Sequence, residues 1–149
     1  MTVEQYEQKG RNKLKADFDN AECEMMYEFT DTSSNIDCCA TACTGERYAI
    51  EIKDRDIPID KYDTILLEWT KYDALMQYYT LGYTPLFRCY FRDAVFTWDI
   101  SKIDIEGRIE KKLCTKKTFE NYGDRIEKEV IMLKKEEAID QRRNNKHNC

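Results

Sequence analysis

Five glycines and two prolines in 149 residues leave little material for linkers or a loop-dominated fold. The only histidine, His147, lies in the polar tail, and no Cys-x-x-Cys pair occurs, so the spacing that marks zinc sites is missing. No apolar run approaches the roughly 20 residues that a bilayer-spanning helix needs, so no membrane association is expected. The opening stretch, MTVEQYEQKGRNKLK, is charged throughout and lacks the apolar centre of a secretory signal. A surplus of positive charge is lacking too. The net charge of −5 argues against a surface that is basic all over, although phosphate contact needs only a local patch.

What is present suits one packed domain. Apolar residues make up 42% of the chain and aromatics 12%, enough for a core and too much for disorder. The seven cysteines (Cys23, Cys38, Cys39, Cys43, Cys89, Cys114 and Cys149) are odd in number and sit mostly in apolar stretches. There a free thiol acts as a small hydrophobe, and a reducing, cytoplasmic setting is expected.

Along the chain, Val3, Tyr6, Gly10, Leu14 and Phe18 recur at helical spacing, predicting a helix over 2–18. Glu7 lies on that inward stripe, and Arg11 on the wet side. Strands are expected over 23–30, 36–43 and 47–55, the last being the clearest. A second helix is expected over 64–81, ended by Gly82, and two further strands over 86–91 and 94–100. Beyond Lys102 the chain is charged; 125–133 reads as a strand and 134–143 as a short helix. The fold class is α/β, a mixed sheet flanked by helices in the order α-β-β-β-α-β, with a core over about 3–100 and an extension over about 103–149.

Side chains alternate across a strand, so Tyr48, Ile50 and Ile52 point one way, while Ala49, Glu51, Lys53 and Arg55 point the other. If Thr44-Gly45-Glu46 forms a three-residue hairpin loop, Asp37 lies across from Lys53 and diagonal to Glu51. A two-residue loop would turn Asp37 to the other face. Cross-strand neighbours at such positions stand roughly 5–8 Å apart, close enough to share a cation.

Asp37 followed, after thirteen intervening residues, by Glu51-Ile52-Lys53, on a hairpin between two helices, resembles the PD-(D/E)XK nuclease superfamily, whose fold is that of restriction endonucleases and Holliday-junction resolvases. The likeness covers about residues 3–100; Ile36 stands where the superfamily often has proline. The resemblance implies a metal-dependent phosphodiesterase acting on DNA, an endonuclease by preference, with Asp37, Glu51 and the Ile52 carbonyl holding Mg²⁺ (Mn²⁺ substituting). Lys53 would orient water and steady the charge on phosphate. Glu7 is the candidate for a further metal ligand from the first helix. Arg55, Lys71 and Glu68 are candidates for substrate contact, and a homodimer would bring two sites to two strands.

Each of these has an ordinary alternative. Glu-x-Lys occurs three times, at Glu7, Glu51 and Glu110, so the triplet alone carries little. Glu7 could be a partly exposed helix carboxylate, and Glu68 with Lys71 a surface ion pair. The tyrosines of the second helix and Trp69 fit a core face. The competing function is a non-catalytic module that keeps the fold and binds nucleic acid or protein.

Overall fold

The structure, a computed structural model, describes residues 2–31, 33–115 and 125–144. Helix α1 spans Val3–Asp19. It starts at Thr2, whose side chain accepts from the Gln5 N–H while the Gln5 side chain accepts from the Thr2 N–H, a reciprocal cap. The strands β1 (Met25–Phe29), β2 (Cys38–Ala42), β3 (Arg47–Asp54) and β4 (Thr64–Glu68) follow. Then come helix α2 (Trp69–Thr80), β5 (Thr84–Tyr90), β6 (Ala94–Asp99), β7 (Ile109–Thr115), β8 (Arg125–Lys134) and β9 (Asp140–Arg143).

The expected mixed α/β architecture is the observed one. Six strands form one sheet in the order β1-β2-β3-β5-β6-β9, with β3 and β5 parallel and the other neighbours antiparallel. A second, three-stranded antiparallel sheet runs β4-β8-β7. The order α-β-β-β-α-β is present, with β4 interposed before α2.

Both faces of the large sheet are covered, which is why β3 is apolar on each side apart from its functional residues. Leu14 and Phe18 of α1 pack on Cys38, Ala40 and Ile50 on one face. Helix α1 comes close enough that a Cβ on Gly10 would sit 3.1 Å from the Ile52 side chain, so glycine sets the helix-to-sheet distance there. The other face carries the larger core, where Ala49, Phe87, Phe96 and Trp98 meet Leu75 of α2 and Ile65, Leu67, Ile131 and Leu133 of the small sheet. On the α1 face, the buried Arg88 is fully engaged, donating to Asp17 (2.6 Å), Thr97 (2.7 Å) and the Tyr90 hydroxyl (2.9 Å).

Three local expectations are corrected. The stretch 64–81 is not one helix: Thr64–Glu68 alternates between half-buried and buried positions and pairs with β8, and the helix begins only at Trp69. The stretch 134–143 is a single 3-10 turn at Lys135–Glu137 followed by β9, which pairs with β6. β7 was not expected at all. The thiol reading is corrected at one pair: Cys23 and Cys43 are joined in a disulfide, while Cys38, Cys39, Cys89 and Cys114 are free. Cys149 and His147 lie outside the described residues.

Candidate active site

The site is built on the β2–β3 hairpin. Ala42 N–H donates to Glu46 O and Gly45 N–H to Ala42 O, so the loop is Cys43-Thr44-Gly45, with Gly45 at φ +89° where glycine is favoured. The loop has the expected three residues but begins one residue earlier. The register follows: Cys38 pairs with Ile50 and Cys39 with Ala49. The ladder stops at Cys38, and Asp37 just before it lies beside Ile50 rather than across from Lys53. The Asp37 N–H donates to Ile50 O (3.0 Å), and the Ile52 N–H donates to Asp37 Oδ2 (2.9 Å). Ile52, whose carbonyl is the expected metal ligand, also reaches Asp37 through its amide.

Two cations bracket the carboxylates. Lys71, in the first turn of α2, places Nζ 3.2 Å from Glu51 Oε1 and donates to the Asn35 carbonyl at 3.4 Å. Arg11 of α1 lies 3.4 Å from Asp37 Oδ1 and donates to Thr30 O at 2.8 Å. The wet-side placement of Arg11 is thus overturned, since it is only 9% exposed. Its position three residues before Leu14 and next to Gly10 was the available signal. Glu7 is half-buried one turn earlier on α1. It does not make a trio with the pair: among the described residues no group of three or more His, Cys, Asp or Glu side chains could hold a metal.

Burial governs the electrostatics. Desolvation pushes the Glu51 carboxyl well above the usual range, the Asp37 charge adds to that, and Lys71 pulls it back only in part. Lys53 sits beside the fully buried Cys89 of β5, and burial followed by the Arg55 charge draws its ammonium below the usual lysine range. Glu51 and Glu68 oppose that shift. Arg55 donates to the Leu66 carbonyl of β4 at 3.2 Å and so ties the two sheets together.

Glu68 is not on the helix but at its N-cap, and its side chain does not cap. Instead of pairing with Lys71, it accepts from Lys128 of β8 at 3.1 Å, and its charge is felt by both Lys53 and Lys71. Lys128 was missed in sequence because β8 pairs with β4 only through the tertiary fold.

Whether these residues fit a divalent cation turns on Glu51 Oε2, which is buried and has no hydrogen-bond partner. A buried carboxylate oxygen without a donor is costly, and the charge of Asp37 nearby raises that cost. A hard cation takes oxygen ligands, and Mg²⁺ needs only one or two carboxylates because it keeps several waters. The donor set fits. No family model matches the chain, and neither does any curated protein or solved structure.

Proposed function

We propose that this chain is a Mg²⁺-dependent nuclease of the PD-(D/E)XK type, hydrolysing phosphodiester bonds of DNA, as an endonuclease by preference. The observation that carries the reading is the buried Glu51 with an unpartnered oxygen, near enough to Asp37 to feel its charge, and Lys53 two residues on along the same strand face. Asp37 and Glu51 would hold the ion, which when bound polarises the phosphoryl group and lowers the pKa of water. Lys53 orients the attacking water and sets positive charge where negative charge develops on phosphate. Lys71 aims Glu51 and offsets part of the cost of its charge, and Arg11 together with the Ile52 amide fixes Asp37. Water adds to phosphorus, the bond to the leaving sugar oxygen breaks, and that oxygen takes up a proton.

A small chain with one such site would act on two strands as a homodimer or recognise a branched structure. The proposed setting is cytoplasmic. Four free thiols among the described residues support it, and Cys23–Cys43 is the pair that a reducing compartment would open. No helix among the described residues is long and apolar enough to cross a membrane.

The second reading is a non-catalytic nucleic-acid- or protein-binding module. One observation favours it: Arg11 and Lys71 already bridge one carboxylate each, so the cluster holds together without a cation.

The deciding experiment incubates wild type, Glu51→Ala and Lys53→Ala with plasmid, linear duplex, single-stranded and branched DNA, with Mg²⁺ or Mn²⁺ and with EDTA. Metal-dependent cutting that disappears in both folded variants is the expected result. Wild type that cuts nothing and gains no melting temperature from Mg²⁺ would move the assignment to the second reading.

A further inference from the structure

We infer that the β7–β8 ribbon is the DNA-docking arm of this site, with Lys112 and Lys128 on its site-facing side gripping the phosphates of a duplex. The inference rests on the nuclease reading for its choice of ligand, but it is carried by the ribbon's own residues.

The ladder pairs Lys112 directly with Lys128. Like charges directly opposite on one face destabilise a strand pair, and among the described residues each of these lysines has one carboxylate for company. Lys128 lies 3.1 Å from Glu68 and Lys112 lies 3.7 Å from Glu110. A phosphate placed between the two ammoniums would relieve that repulsion.

The face is continuous with the candidate site. Glu68 accepts from Lys128 and acts electrostatically on Lys53 and Lys71. The ribbon's own site-facing side carries Lys112 and Lys128 against Glu110. That side thus has a surplus of one positive charge in a chain whose net charge is −5. The opposite face of the ribbon is balanced: Lys111 pairs with Glu127 at 3.8 Å, with Arg125 and Glu129 on the same side. Charge therefore distinguishes the two faces. A two-stranded β-ribbon also has the width to enter the major groove of a duplex.

The test measures binding rather than cutting, so it stands apart from the test of catalysis. Fluorescence anisotropy with a labelled 20-base-pair duplex is run in EDTA across a salt series, on wild type, Lys112→Gln/Lys128→Gln and Lys111→Gln. The double variant should bind about tenfold more weakly, with a log–log salt slope flatter by about 2, as expected for two lost phosphate contacts. Lys111→Gln should stay within about twofold of wild type. Melting curves confirm that each variant is folded. A folded double variant with wild-type affinity and slope would overturn the docking arm, as would wild type that fails to bind duplex at low salt. Hydrolysis of bis(p-nitrophenyl) phosphate by wild type in that second case would show that the catalytic reading survives while the arm does not. An equal loss in Lys111→Gln would also sink the inference, since the site-facing side would then be nothing special.

Discussion

Lys71 Nζ and Glu51 Oε1 stand 3.2 Å apart across the junction of α2 and β3, and this is the contact that lets a carboxylate survive where only 7% of the residue reaches solvent. Lys71 itself is about a third exposed, so the pair is neither fully buried nor fully screened. Removing one partner of such a pair leaves the other charge uncompensated. Lys71→Met should therefore lower stability at pH 7 by about 1–2 kcal/mol in urea unfolding. A double-mutant cycle with Glu51→Gln should recover most of that loss, and full additivity would mean that the two do not interact.

The parts of this arrangement that could be read from sequence are those set by local period. In β3, Tyr48-Ala49-Ile50-Glu51-Ile52-Lys53 alternates cleanly, which placed Glu51 and Lys53 on one face. The stretch Thr64–Leu81 contains neither glycine nor proline and is rich in apolar residues, so period alone does not divide β4 from α2. What divides them is pairing with β8, a contact more than sixty residues away. β7 and β9 are edge strands whose sequences, IEKKLCT and DQRR, are charged as edges tend to be, and the ladder rather than apolar patterning holds them. The Asp37 register was off by the starting point of one loop, Cys43 rather than Thr44, which the turn chemistry of Gly45 decides.

Lys53 separates catalysis from stability. Its ammonium is disfavoured by burial, so Lys53→Met should leave the fold as stable as wild type or more so at pH 7. Cleavage by the same variant should fall at least about 100-fold, the scale for losing one preorganised group at a developing charge. The sign of the pH effect follows. With the folded value depressed below 10.5, the unfolded chain binds more protons in the window between them, so wild-type stability gains from this group as pH rises through that window. Melting temperatures between pH 8 and 10.5 should show that rise in wild type relative to Lys53→Met; parallel curves would refute it.

The Cys23–Cys43 bond ties the α1–β1 connection to the β2–β3 hairpin loop and closes a segment of sequence separation 20. Chain-entropy reasoning gives such a loop about 3 kcal/mol of stabilisation. Adding reductant, or substituting Cys23→Ser, should lower Tm by roughly 6–12 °C for a domain of this size. An unchanged Tm, with thiol titration showing all cysteines free beforehand, would mean that the bond does not form in solution.

Glu51 offers the sharpest test, because its folded value is raised and the linkage runs opposite to the usual carboxylate. Below its ordinary value of 4.5 the group is protonated in both folded and unfolded chains and contributes nothing to pH dependence. Between 4.5 and its raised folded value, the native state binds more protons than the unfolded chain, so stability falls as pH rises through that window. Above the window the penalty is constant. Glu51→Gln removes the titration, so the stability difference between variant and wild type should be small at pH 4 and grow in favour of the variant toward pH 7. Mg²⁺ favours the ionised carboxylate and should shrink that difference in wild type while leaving Glu51→Gln unmoved. If the two proteins keep a constant difference from pH 4 to 7, Glu51 is not held neutral by its surroundings. If Mg²⁺ raises both melting temperatures equally, the ion is binding somewhere other than between Asp37 and Glu51.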